Sequence, residues 1–374
     1  MLKVMTVVGT RPEIIRLSRI INLSDKYFDH TLVHTGQNFD YELNKIFFNQ
    51  MNIREPDFYL DSASSSSSKS IANVICNIEE IIEKINPEAF VILGDTNSCL
   101  SAITAKRHKI PIFHLEAGNR CFDYRVPEEI NRKIIDHISD INITYSQISK
   151  ENLLMEGLSP EQVICAGSPL KEVLEFHEKD IEASNILEKL NLSPGSFFLL
   201  SAHREETVDD KENLKQLYQL MSDLSKFYDR EIIFSCHPRT QKKLKDLKLK
   251  KNQSIRICKP FGYFDYVKLQ INSFLVLSDS GTITEESSIL NFPAINIREQ
   301  HERPEGFEEG TVMFTGRSLE KIKNAISILK DQKRGSSRTL NIVNNYNVNN
   351  VSQKIIRIIL SYTDYVNRKV WKKY

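Results

Sequence analysis

Three carboxylates stand where apolar runs stop. Asp95 follows AFVIL in VILGDTNS, Glu116 follows PIFHL in HLEAGNR, and Glu128 opens the proline-led stretch PEEINR. One acid past a strand is often only the N-cap of the next helix. Three in succession are harder to explain by capping alone, and residues 114–132 pack Glu116, Asp123, Glu128 and Glu129 among Arg120, Arg125 and Arg132. Burial raises a carboxyl pKa, whereas arginines and helix N-termini lower it, so such a group can hold members in different protonation states. That is the requirement of acid–base chemistry.

A second set of residues suits an anion. In VVGTRPEIIR a glycine turn leads into a helix with Pro12 in its first turn, and Arg11 and Arg16 lie near its start. Exposed N–H groups there can receive a phosphate, although a structural cap with surface arginines reads equally well. The stretch is neither a P-loop nor a dinucleotide fingerprint. His203 in LLSAHREE and His237 in IFSCHPRT occupy corresponding strand ends. In LVLSDSGTITEESSILN the N–H groups and hydroxyl of Asp279, Ser280 and Gly281 suit phosphate, and Glu286 suits the two hydroxyls of a ribose. Arg303 stands beside a loop proline in EQHERPEG. These residues describe an enzyme for an anionic nucleotide ligand.

The elements that must position them alternate. Strands are expected at 2–8, 30–34, 89–93, 111–115 and 140–144, with helices at 12–23, 39–50, 69–84, 98–108 and 127–138. The second half repeats the scheme, with strands at 196–201, 231–236, 254–258, 274–278 and 293–297 and helices near 211–228, 240–247, 263–271 and 282–291. Such alternation predicts parallel sheets covered on both faces. Two series predict an α/β protein of two doubly wound, Rossmann-like domains with a cleft at the carboxyl ends of their strands. The boundary is expected near CAGSPL: residues 1–168 with about 352–374 form the first domain, and 169–351 the second. SASSSSSKS, 62–70, reads as a flexible surface loop, and the lysine-rich run 242–251 as a solvated helix face.

A formal net charge of +1 gives no reason to expect nucleic acid or an anionic membrane as partner. Six cysteines without a CxxC predict a reducing compartment and no structural zinc. There is no cleavable signal pattern and no apolar run of the ~18 residues a bilayer needs, so the expectation is a cytoplasmic protein. Neither NAD nor a metal is expected.

The ordered set GTRPE, TGQ, GDT, HxEAG, PEExNR, AHRxE, HP, DSGxxxEE and ERPEG resembles the non-hydrolysing UDP-N-acetylglucosamine 2-epimerases from Val8 to about Gly310. The resemblance implies the glycosyltransferase-B fold, a UDP-sugar substrate, no cofactor and a homodimer. It implies Asp95, Glu116, Glu128 and His203 as catalytic groups, and Arg11, Arg16, Ser280, Gly281, Glu286 and Arg303 as UDP contacts. Arg120, His237, Tyr266 and Thr282 complete the expected substrate-binding set. Locally, EAGNRCFDxRVPEEINR resembles the branch that forms UDP-N-acetyl-L-fucosamine from UDP-2-acetamido-2,6-dideoxy-L-talose for capsule or O-antigen. UDP-N-acetylglucosamine is the alternative substrate, and a glycosyltransferase of the same fold a remoter one. Arg16 replaces the family's usual lysine, and Thr282 the second glycine of DSGG.

Overall fold

The computed structural model describes residues 1–36, 41–208, 210–247, 249, 252–298, 300 and 302–373, with the backbone alone at 41–45, 205 and 206. Residues 37–40, within the TGQNFDY stretch, and Lys248, Lys250 and Lys251 of the basic run lie outside the described residues. The chain divides into two compact units, one of Met1–Glu175 with Asn345–Tyr374 and the other of Phe176–Asn344.

The first unit is built on β1 (Lys3–Val8), β2 (Asp29–His34), β3 (Phe58–Tyr59), β4 (Ala89–Leu93), β5 (Ile112–Leu115), β6 (Ile141–Thr144) and β7 (Val163–Cys165). Among the described residues these form one sheet in the order β3-β2-β1-β4-β5-β6-β7. Each paired strand is parallel to its neighbour. Every residue of β4, AFVIL, is buried, as expected of a strand covered on both faces. Its main helices are α1 (Arg11–Tyr27), α2 (Tyr41–Gln50), α3 (Ser67–Ile85), α4 (Ala102–Arg107), α5 (Pro127–Ile138) and α6 (Gln147–Met155).

The second unit repeats the plan with β8 (Phe197–Ser201), β9 (Glu231–Ser235), β10 (Ile255–Cys258), β11 (Leu275–Ser278), β12 (Ala294–Asn296) and β13 (Met313–Phe314), ordered β10-β9-β8-β11-β12-β13. Its main helices are α7 (Lys211–Tyr228), α8 (Pro238–Asp246), α9 (Tyr263–Asn272), α10 (Ile283–Leu290) and α11 (Leu319–Leu329). The last helix, α12 (Val351–Lys369), packs on α1 and so belongs to the first unit. No described helix is long and apolar enough to cross a membrane.

In each sheet the strand order reverses at one seam, β1/β4 in the first unit and β8/β11 in the second. Connections leave the two seam strands toward opposite faces, so a crevice opens beyond their carboxyl ends. Gly9–Arg16 follow β1 and Asp95 follows β4; His203 follows β8 and Asp279–Thr282 follow β11. Both groups of candidate residues therefore flank a switch point of their own sheet.

Two local expectations need correction. The serine run is not a loop throughout: Ser67 begins α3, Ser66 caps it by accepting the Lys69 N–H at 3.3 Å, and Ser62 is buried. Serine's short hydroxyl serves a helix start as readily as a loop. The helix expected at 98–108 is broken into a 3-10 turn, Asn97–Ser101, followed by α4.

Candidate active site

Beyond β4, at the first seam, and beyond its neighbour β5, each strand-end carboxylate meets an arginine from a helix. Asp95 Oδ2 lies 2.6 Å from Arg132 Nε of α5, and Glu116 Oε2 lies 3.3 Å from Arg16 Nη1 of α1. Asn131 of α5 adds a bond from Nδ2 to the Asp95 carbonyl at 2.9 Å. Pro127 starts α5, and its first-turn acids suit the positive end of the helix. They divide: Glu128 is half-buried, whereas Glu129 is sealed, accepts the Cys121 and Phe122 N–H groups and pairs with Arg132 at 2.9 Å. Arg132 thus bridges Glu129 and Asp95. Sequence reasoning left Arg132 and Glu129 out of the site, although the PEExNR spacing puts residues 129 and 132 on one helix face.

Arg11 lies over the Phe47 ring, 5.7 Å from its centroid. Arg120 turns inward: Nη1 is 2.7 Å from Asp136 Oδ2, and Nε and Nη2 chelate Glu156 at 2.8 and 2.6 Å. With its side chain wholly buried in those pairs, Arg120 is placed to hold structure, not to reach a ligand.

Glu13 was also missed. It is buried on α1, accepts the Thr10 N–H at 3.2 Å, and receives hydroxyl bonds from Thr96 and from Ser98 at 2.9 Å. One carboxyl therefore ties the turn after β1 to the turn after β4. Burial pushes its pKa up to about 7, against the lowering effect of those bonds. Because the folded-state value is raised, stability from this group is full below the unfolded pKa near 4.5 and is lost as pH rises through about 7. Glu13→Gln should accordingly gain on the wild type by about 2 kcal/mol between pH 5 and pH 8 in denaturant titrations. An equal gap at both pH values would show an ordinary carboxyl there.

At the second seam the buried Asp279 accepts the His203 N–H at 2.9 Å and the Arg204 N–H at 3.0 Å, fixing the turn after β8. The exposed His203 ring meets Ser201 Oγ through Nε2 at 2.7 Å. Tyr266 also bonds the Ser201 side chain; burial, with Glu286 and Asp279 nearby, holds its phenol well above the usual range. Ser280 Oγ lies 3.1 Å from Thr282 Oγ1 and accepts the Thr282 N–H at 3.3 Å. Thr282 caps α10 with φ −67°, so its backbone does not require the family's glycine. Gly281 does have a steric reason: a Cβ there would come 2.4 Å from Arg303 Nη1. Arg303 is buried with Nε 3.4 Å from Glu285, and Gln270 Nε2 donates to Glu286 Oε2 at 2.6 Å. The same wall holds Arg298 and Arg204, which pair with Glu302 at 2.9 and 3.4 Å, and neither arginine was singled out from the sequence. His237, at the start of α8, accepts the Arg239 N–H at Nδ1 as an N-cap.

The first unit therefore gathers acids and arginines, and the second backbone N–H groups, a hydroxyl and a carboxylate suited to a nucleotide. Among the described residues one trio brings possible metal-ligating atoms within 4.8 Å of each other: Glu79, Glu83 and His108 of the α3–α4 surface.

The family model for UDP-N-acetylglucosamine 2-epimerase matches residues 22–360. The UDP-N-acetylglucosamine 2-epimerase of Rickettsia bellii is similar at TM-score 0.94 and 53% identity, over 100% of both chains. The Methanocaldococcus jannaschii enzyme, solved with UDP-GlcNAc and UDP, gives TM-score 0.89 and 36% identity over 96% of this chain and 100% of its own. The UDP-2,3-diacetamido-2,3-dideoxy-D-glucuronate 2-epimerase of Pseudomonas aeruginosa is 30% identical over 327 residues, 86% of this chain and 90% of its own. Fold and site together define an α/β enzyme of the glycosyltransferase-B type, built from two Rossmann-like domains. The chain belongs to the non-hydrolysing UDP-N-acetylglucosamine 2-epimerase family and is an isomerase.

Proposed function

We propose that this protein inverts C2 of UDP-N-acetylglucosamine, forming UDP-N-acetylmannosamine by eliminating UDP and adding it back. The observation that carries the reading is the pair of strand-end carboxylates, Asp95 and Glu116, each held by its own arginine at 2.6 and 3.3 Å. C1 of the substrate is an acetal, so no enolate can stabilise loss of the C2 proton. Departure of UDP takes the electron pair of the breaking C1–O bond and leaves a planar glycal. A proton must leave one face and return on the other, which calls for more than one acid–base group. Asp95, Glu116 and Glu128 fill those roles, with His203 by the leaving group. In the first unit Arg11 and Arg16 supply positive charge for UDP; in the second Arg303 supplies charge, Ser280 and Gly281 donate hydrogen bonds to phosphate oxygens, and Glu286 takes the ribose. A homodimer belongs to the same reading.

A second reading, the L-talose derivative as substrate, is favoured by Asn119. It replaces the leucine usual in EAGLR; its Oδ1 accepts from Ser149 Oγ at 2.9 Å and its Nδ2 reaches toward Glu116 Oε1 at 3.5 Å. The P. aeruginosa relative, named for a diacetamido-glucuronate, supports a family whose sugar varies. Incubation in D2O with each UDP-sugar separates the readings. Deuterium at C2 of the product from UDP-N-acetylglucosamine is expected. A kcat/KM higher by about 10²–10⁴ for the L-talose sugar would favour the second reading, since mispaired polar groups discriminate on that scale. No exchange into either sugar would sink both.

A further inference from the structure

We infer that Asp136 is a positioning residue for the epimerisation, holding the backbones that carry both Asp95 and Glu116 through His114, Gly118 and Arg120. The inference rests on the acid–base roles proposed above. Asp136 lies on α5, one turn beyond Arg132, and is fully buried. Its carboxylate accepts the Gly118 N–H at 3.2 Å, pairs with Arg120 Nη1 at 2.7 Å and faces His114 Nδ1 at 2.9 Å. These three partners bracket Glu116 at positions −2, +2 and +4.

The bracket has something to hold. Glu116 has φ +64°, a left-handed conformation that costs a non-glycine residue roughly 1 kcal/mol or more and persists only where its surroundings over-determine it. Gly118, at φ +80°, could not gain a side chain, because a Cβ would meet the Ser149 carbonyl oxygen at 2.1 Å. The loop is therefore pressed onto α6 and drawn to Asp136.

The same cluster reaches Asp95. His114 Nε2–H donates to the Gly94 carbonyl at 2.7 Å, and Gly94, at φ +80°, is the residue before Asp95. Nε2 is bonded to a carbonyl, and Nδ1 lies 2.9 Å from the Asp136 carboxylate, whose charge favours the protonated ring. Burial works against protonation, but the hydrogen bond and charge of Asp136, with help from Gly94 and Asn142, leave the His114 pKa raised. The remaining charged groups run outward from Asp136: Arg120 to Glu156, and Glu156 to the half-exposed His137 at 3.1 Å. Arg120 thus sits between two carboxylates, Asp136 and Glu156, before the chain reaches solvent.

Asp136→Asn removes the charge and turns one of the two accepting oxygens into an N–H donor. Turnover should fall about 10²-fold, the scale expected when catalytic groups shift by about 1 Å. UDP affinity by calorimetry should stay within about threefold, because no proposed UDP contact is touched. Breaking a buried pair can also unfold a protein, so two milder variants accompany it. His114→Asn keeps a donor near the Nδ1 position toward Asp136 and drops the Gly94 bond. His114→Gln keeps a donor near the Nε2 position and drops the Asp136 contact. Each should lower kcat about 10-fold with UDP binding unchanged. In [15N]histidine-labelled protein the His114 signal should titrate at a higher pH in the wild type than in Asp136→Asn. Wild-type turnover in folded variants, or loss of turnover and UDP affinity together, would overturn the inference. A wild-type protein that exchanges no deuterium into a UDP-sugar would instead remove the parent reading, while the His114 titration would still report the tie to Asp136.

Discussion

Asp95→Asn and Glu116→Gln are each expected to reduce turnover by about 10²–10⁴ while UDP affinity stays within several-fold. That is the usual worth of a positioned acid or base. Both changes keep side-chain volume and remove the negative charge together with the ability to exchange a proton at neutral pH. The amide oxygen of the new asparagine could still meet Arg132, and that of the new glutamine could meet Arg16. The ion-pair sites would therefore lose charge without leaving a cavity. The prediction is specific about which constant moves. Steady-state kinetics should show kcat falling, and calorimetry with UDP should show Kd nearly unchanged. Normal turnover in both variants would mean that the acid–base roles belong elsewhere, with Glu128 the next residue to test.

Arg303→Ala should have the opposite signature, weakening UDP by about 10²-fold. A charge-assisted hydrogen bond is worth about 1.5–3 kcal/mol, and a fork can make two. Arg303 is buried, with Nη1 close over Gly281 and Nε 3.4 Å from Glu285. Its removal also leaves Glu285, which is fully buried, short of positive charge. Melting should therefore be measured beside UDP binding. Gly281→Ala is the control that keeps the charge: the added Cβ would fall 2.4 Å from Nη1 and displace the guanidinium. Weakened UDP binding in both variants supports the diphosphate role. Unchanged affinity in a folded Arg303→Ala protein would remove Arg303 from the site.

Much of the architecture was legible because its signals are local. AFVIL, FFLLS and LVLS are continuous apolar runs of strand length, and strands buried on both faces need that pattern. Pro127 marked the start of α5, and the strand was found at Ile255–Cys258 within the expected 254–258. The weaker edges were not read: β3 and β13 are two residues each, too short to show a period. The serine run misled because capping and loop chemistry use the same hydroxyl.

The types of residue needed for the chemistry were visible as well, since acids at strand ends, a DSG turn and an Arg-Pro loop are short-range motifs. Their pairing was not. Asp95 and Arg132 are 37 residues apart, and Arg120 and Glu156 are 36 apart. Arg120 was expected at the ligand because the EAGNR loop resembles one close to the sugar, yet its guanidinium is drawn inward by Asp136 and Glu156. Asp136 carried no motif-level signal and Glu13 stood only as the last residue of GTRPE; each matters because packing brings donors from separate loops onto one carboxylate. Sequence by itself determined the alternation, the two sheets and the inventory of ionisable groups, because backbone period and turn chemistry act over a few residues. Tertiary structure alone decided which charges meet, because a long side chain turns toward whatever counter-charge the fold delivers from tens of residues away.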